Sequence, residues 1–283
     1  MTRYADADLQ LLAQVDVILT DVDDTLTRGG KLSASTLDAI ERLARGGLRV
    51  IPVTGGCAGW CDHIVRAWPV AAVIGESGAF SFQMRPNGGL RRHFVRPLEQ
   101  LRADQQRLLE IAQQALAAVP EARMAADQAY RLADVAIDHS QDVGPLPASS
   151  IATIIKIFED AGARARASSI HVNAWFGDYD KATMAAQLLA DDLAIDPDEQ
   201  SRRVLFIGDA PNDESLFRAY ALSVGVANIK HHLSKLAHPP RWICDAGHGA
   251  GFVEMADRVL QARQLVGKSV APARLEPARP AAD

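Results

Sequence analysis

After a polar start, residues 15–20 (VDVILT) form a short run of β-branched and apolar side chains that stops at an acidic cluster. A run this short predicts a buried strand rather than a helix. From Ser35 to Arg45 the spacing changes, and Leu37, Ile40, Leu43 and Ala44 share one helical face. Ser33 or Ser35 supplies an N-cap, and Gly46-Gly47 a stop. The segment LRVIPVTGG (48–56) predicts a second strand, residues 60–67 a helix, and VAAVIGESGA (70–79) a third strand. Strands and helices alternating in this way build a right-handed parallel sheet whose strands are buried on both faces.

The pattern changes after Phe82. Residues 85–92 (RPNGGLRR) carry turn signals and charge, and an amphipathic helix is expected over 97–118. RLADVAIDH alternates like a half-exposed strand, SSIATIIKIFEDAG reads as a capped helix ending at Gly162, and ARARAS and SIHVNAWF read as two more strands. Half-exposed strands interleaved with helices predict an α+β module with its helices on one face of its sheet. From Lys181 the first pattern returns, with helix KATMAAQLLADDL, strand RRVLFIGDA, helix NDESLFRAY and strand ALSVGVA. The predicted fold class is α/β. Residues 1–82 and 176–265 form a discontinuous parallel-sheet core, 83–175 an inserted module, and 266–283 an Ala/Pro-rich tail expected to be disordered.

Composition narrows the function. The 283 residues are 48% hydrophobic and 23% charged, the balance of a soluble globular protein. A net charge of −5 gives no general attraction to nucleic acid or anionic membrane, so neither is expected as a partner. No stretch reaches the roughly 18 apolar residues of a membrane span, and the start MTRYADADLQ lacks the pattern of a signal peptide. A cytoplasmic location is therefore expected, with Cys57, Cys61 and Cys244 as free thiols. Cys57 and Cys61 are spaced like metal ligands, but no partner pair follows, which argues against zinc.

The chemistry concentrates where predicted strands end. Asp21, Asp23 and Asp24 follow the first strand, at the sheet edge where ligands bind in open parallel sheets. Asp21 and Asp23 start on one face of extended chain, and two close carboxylates call for a cation between them. Magnesium suits such oxygen ligands. A carboxylate can also attack phosphorus, and a second can move the proton. An acidic turn or a passive cation site fits the same residues. GDAPNDE (208–214) repeats the arrangement after another strand, with Asp209 and Asp213 able to complete a ligand set and Asn212 a candidate substrate contact. Asp213 also fits a plain helix cap. The Thr54 hydroxyl and the Gly55 and Gly56 amides could hold phosphate oxygens, or merely end a strand. Lys181, at a helix start, could neutralise phosphate charge or be an ordinary surface lysine.

The ordered set DVDDT, VTG, DKAT and GDAPND resembles the haloacid dehalogenase superfamily of aspartate-nucleophile phosphatases over roughly residues 15–260. The resemblance implies a Rossmann-like core with an inserted α+β cap domain. It implies Asp21 as nucleophile and Mg²⁺ ligand, and Asp23 as general acid/base with its carbonyl on the metal. Thr54, Gly55, Lys181 and Asn212 would bind substrate, Asp209 would ligate Mg²⁺, and Asp213 would support its shell directly or through water. The cap position resembles the subgroup of sucrose-phosphate, trehalose-phosphate and mannosyl-3-phosphoglycerate phosphatases, as do SVGVANI and GHGAGFVE. It implies a small phosphorylated substrate, a sugar phosphate or phosphoglycerate-type compound. A phosphosugar mutase and a non-catalytic Mg²⁺ or phospho-ligand binder are the competing readings. Three positions depart from the pattern: Asp24 where Gly is common, Gly56 where the subgroup has Arg, and Ser77 where Asn is usual. Arg131, His139, His171, Asn173 and Trp175 are candidate cap contacts.

Overall fold

The computed structural model describes residues 2–267. Six strands form a parallel sheet in the order Thr2–Arg3, Trp242–Ile243, Leu222–Gly225, Val204–Gly208, Val17–Thr20, Arg49–Pro52. VILT and VLFIG are neighbouring inner strands, and every residue of both is buried, as a sheet covered on two faces requires. One apolar core lies on each face. Helices Ala34–Arg45 and His248–Leu265 pack on one side through residues such as Leu43, Phe252 and Met255. Helix Lys181–Asp191 packs on the other through Met184, Leu188 and Leu189. Ser33 caps the first of these helices, its side chain accepting the Thr36 N–H at 3.2 Å.

The third expected strand behaves differently from the first two. Val73–Gly75 makes a single parallel bridge, Val53 to Ile74, and then pairs antiparallel with Phe80–Met84, which pairs with Leu90–Phe94. The chain reverses through Glu76 and Ser77, both left-handed at φ 44° and 58°. Neither glutamate nor serine favours that region, so the turn is held by its surroundings.

Between these halves the segment 97–175 forms a second layer. Helices Leu98–Ala118 and Ala148–Asp160 cover an antiparallel sheet ordered Arg164–Ala167, His171–Trp175, Val135–Asp138, Arg123–Met124. Leu108, Ile137, Ile154, Phe158 and Val172 belong to its separate apolar core. The expected tail falls outside the described residues from position 268 onward.

Candidate active site

Asp21 sits at the carboxyl end of its strand, where its backbone N–H still reaches the Ile207 carbonyl at 2.9 Å. The residue is 5% exposed. Lys181 opens the helix that packs beneath, and its ammonium donates to Asp21 Oδ1 at 2.6 Å and to Asp213 Oδ1 at 2.7 Å. The helix start is held there by two devices. Asp180 forms a capping box with Thr183. Gly78, at φ 106°, lets the Asp180 carbonyl approach to where any side chain would stand.

Asp209 lies at the end of the neighbouring strand. Its Oδ1 accepts from the Thr25 hydroxyl at 3.2 Å and its Oδ2 from Asn228 Nδ2 at 2.9 Å. Asp213 Oδ2 accepts the backbone N–H groups of Asp209 and Ala210, at 3.0 and 3.3 Å. Both Asp213 oxygens therefore already have partners, and the residue acts as a brace between Lys181 and the acidic loop. Gly208 makes room for it: a Cβ there would lie 2.4 Å from Asp213 Oδ2. The glycine serves close approach, rather than the tight turn its position suggests.

Carboxylate oxygens of Asp21, Asp209 and Asp213 all lie within 4.8 Å of one another, and all three residues are buried. One ammonium against three buried carboxylates leaves negative charge uncompensated. Burial first, and then Asp213, push the Asp21 carboxyl well above its ordinary range, against the pull of Lys181. Burial and Asp21 do the same to Asp209. A hard, all-oxygen cluster short of positive charge fits Mg²⁺, and Asp21 and Asp209 are the side chains that would hold it, since Asp209 accepts one bond per oxygen from neutral donors whereas Asp213 is tied to the Lys181 ammonium.

Asp23 is half-buried and stands outside that cluster, on the wall of the adjoining cavity. Burial, with Asp24 next, pushes its carboxyl up to about 6. Asp24 is left-handed at φ 58°, a conformation that glycine adopts more readily. Its carbonyl accepts from Asn228 Nδ2 at 3.1 Å and lies 3.1 Å from His248 Nδ1. SVGVANI and GHGAGFVE thus converge on the acidic turn.

Thr54 and Gly55 border the same cavity, and the Thr54 hydroxyl accepts the Gly56 N–H at 2.8 Å. The Gly55 carbonyl accepts from Arg131 Nη1 at 2.9 Å and Asn173 Nδ2 at 3.1 Å. Asn212 borders it too, with its buried Oδ1 lacking a protein partner. Lys181 instead faces a smaller cavity of about 350 Å³.

Of the expected contacts from the second layer, Arg131, His171 and Asn173 reach the large cavity. Trp175 is buried and donates to the Tyr179 carbonyl at 3.0 Å, and His139 Nε2 lies 3.2 Å from the Ser168 carbonyl. Cys57 and Cys61 are buried free thiols whose pKa values burial raises, Cys57 to about 11, consistent with packing and capping roles. Sequence reasoning passed over Glu76. Its buried carboxylate accepts backbone N–H groups from Ala58 at 3.0 Å, Leu132 at 2.9 Å, Ala133 at 2.7 Å and Asp134 at 3.2 Å. Asn228 was present only inside a quoted motif, and Asp134, which pairs with Arg131 at 2.9 Å, carried no signal in sequence.

The arrangement is that of a haloacid dehalogenase-type fold, a parallel α/β core with an α+β layer over its acidic edge. Three solved structures define the likeness. Thermoplasma acidophilum 0175 superposes with a TM-score of 0.64 at 19% identity, over 87% of this chain and 98% of that one. The sucrose-phosphatase of Synechocystis sp. PCC6803, in complex with sucrose and phosphate, gives 0.62 at 18% identity, over 87% and 98%. A phosphatase of the haloalkanoate superfamily from Bacteroides thetaiotaomicron gives 0.53 at 17%, over 91% and 96%. No family model and no curated protein matches the sequence.

Proposed function

We propose that this chain is a Mg²⁺-dependent phosphomonoester hydrolase that works through an aspartyl-phosphate on Asp21. The observation that carries the reading is the Asp21–Lys181–Asp213 triad beside Asp209 and at the mouth of a cavity that also holds Asp23. A passive cation site needs no buried lysine bound to one of its own carboxylates, and a charged pair of this kind costs desolvation unless it serves a purpose. The phosphatases of the same fold support the reaction class.

In this reading Lys181 holds one Asp21 oxygen and turns the carboxylate toward the cavity. The free oxygen attacks phosphorus, the bond from phosphorus to the leaving oxygen breaks, and Asp23 gives that oxygen its proton. A carboxyl held near 6 is protonated often enough near neutrality for this step. Asp23, now a carboxylate, takes a proton from water, which attacks phosphorus and releases Asp21 with inorganic phosphate. Thr54, Gly55 and Asn212 border the same cavity and would hold the phosphoryl oxygens. Mg²⁺ held by Asp21 and Asp209 would offset the carboxylates' charge and that of the phosphoryl oxygens. The 97–175 layer is read as the cap that covers the site. The substrate is a small phosphorylated metabolite, as in the sucrose-phosphatase, whose structure holds sucrose and phosphate. Sugar phosphates and phosphoglycerate-type compounds are the classes to which the sequence pattern points.

The test is phosphate release from a panel of phosphomonoesters. Chelation should abolish turnover and Mg²⁺ restore it. Asp21→Asn should lower kcat by about four orders of magnitude or more. Undiminished release from that variant at saturating Mg²⁺ would rule out the covalent route.

A further inference from the structure

The cavity that opens from Asp21 and Asp23 has a volume of about 690 Å³, room for a leaving group far larger than phosphate. Among the described residues that line it, the single lysine or arginine is Arg131, whose side chain has no solvent exposure. Nε and Nη2 of Arg131 donate to the two Asp127 oxygens, both at 2.9 Å, while Nη1 donates to Asp134 and to the Gly55 carbonyl. Two carboxylates thus offset its charge. Position 56, beside Thr54, is glycine and contributes none. A carboxylate or second phosphate on the leaving group would meet no free fixed cation here, and would lie near Asp23 and Asp127.

What the cavity offers instead is aromatic carbon. Trp60 is 59% exposed and Tyr130 66% exposed, and both border it. They come from different layers. Trp60 is in the first turn of helix Ala58–Ala67, and Tyr130 ends a short helical turn beside Arg131. The Tyr130 ring packs over Gly59, where a methyl group would stand 3.1 Å from Tyr130 Cβ. Glu76 fixes both supports, accepting N–H groups from Ala58 on one side and from Leu132 and Ala133 on the other. Two large exposed rings held at one rim mark a binding surface. His171 also borders the cavity; it is buried, and its Nε2 has no partner among the described residues. Burial and Arg131 lower its pKa to about 4, so it faces the cavity as a neutral hydrogen-bonding group.

We propose that the alcohol released from the substrate carries a flat, uncharged ring, aryl or heterocyclic as in a nucleoside. The ring packs on Trp60 and Tyr130, its polar edge is read by His171, and carboxylated leaving groups are turned away. The proposal rests on the hydrolase reading and narrows its substrate away from phosphoglycerate-type compounds.

Four phosphomonoesters separate the possibilities: benzyl phosphate, adenosine 5′-monophosphate, glucose 6-phosphate and 3-phosphoglycerate. With the full chain and Mg²⁺, at least one of the two ring-bearing esters should exceed both of the others in kcat/KM by tenfold or more. Trp60→Ala and Tyr130→Ala should each cut that preference over glucose 6-phosphate about tenfold, mainly through KM. Preference for glucose 6-phosphate or 3-phosphoglycerate would overturn the proposal, as would an unchanged ratio in both variants. Calorimetric titration of Asp21→Asn with adenosine 5′-monophosphate and 3-phosphoglycerate keeps the two readings separate. Without turnover of any ester by the native chain, the hydrolase reading fails. The ring proposal then stands if the nucleotide binds tenfold tighter, and falls if 3-phosphoglycerate does.

Discussion

Replacing Lys181 by methionine removes the cation between Asp21 and Asp213 while keeping most of the side-chain volume. The ammonium is 2% exposed and lies 2.6 and 2.7 Å from the two carboxylates, which are themselves 7% and 0% exposed. Removing one partner of a buried ion pair costs about 3–5 kcal/mol, because the remaining charge stays desolvated. Urea unfolding at pH 7 in chelator should therefore show Lys181→Met less stable than the native chain by about that amount. The loss should depend on pH in a definite direction. Without the lysine, the Asp21 carboxyl, already pushed up by burial and by Asp213, loses the pull that lowers it, so the folded variant binds more protons than its unfolded chain. Its stability then falls as pH rises above the ordinary carboxylate range, and the deficit shrinks toward pH 4–5. Turnover should drop by about 10²–10³, the loss typical of one preorganised donor. A deficit below about 1 kcal/mol at pH 7, or one that grows toward pH 4, would refute the buried triad.

Three further outcomes test neighbouring features. His171 is held near 4 by burial and Arg131, so its neutral form stabilises the fold above the unfolded value and is lost as pH falls from about 6.5 to 4. His171→Gln should flatten that acid limb by about 3 kcal/mol, measured by urea unfolding across the range. Gly208→Ala puts a methyl group 2.4 Å from Asp213 Oδ2, and should cost about 1–3 kcal/mol in unfolding experiments while lowering turnover by displacing the brace. Glu76→Gln turns one acceptor into a donor facing backbone N–H groups. It should cost about 1–3 kcal/mol and raise amide exchange at Leu132–Asp134.

The strands that carry Asp21, Thr54 and Asp209 were legible because fully buried parallel strands write themselves as apolar runs, each ended here by a polar loop. Thr2–Arg3 and Trp242–Ile243 at the sheet's edge were not, being two residues long and without periodicity. Helix Pro197–Arg203 escaped for a similar reason, since PDEQSRR presents almost no apolar face. The hairpin Phe80–Met84 with Leu90–Phe94 was hidden by exposed arginines at 91 and 92. The acidic motifs announced the cluster, but not the division of labour within it. That Asp213 is occupied by Lys181 and two amides depends on distances no spacing encodes. Glu76 was illegible for a deeper reason. Its partners are backbone N–H groups, which every residue but proline carries.

The strand that carries Asp21 also sets a timetable for synthesis. Val17–Thr20 pairs with Arg49–Pro52 on one edge and with Val204–Ile207 on the other. The first neighbour leaves the ribosome almost at once; the second follows the whole inserted layer. At ~5–20 residues per second the apolar edge VILT waits on the order of 10–40 s for its partner. Throughout that interval a ribosome-bound nascent chain should present an unpaired β-edge to chaperones, and to other nascent chains. Crosslinking to chaperones at residues 17–20 should cease once residue 208 has emerged, and persistence beyond that length would show that the strand pairs by some other route.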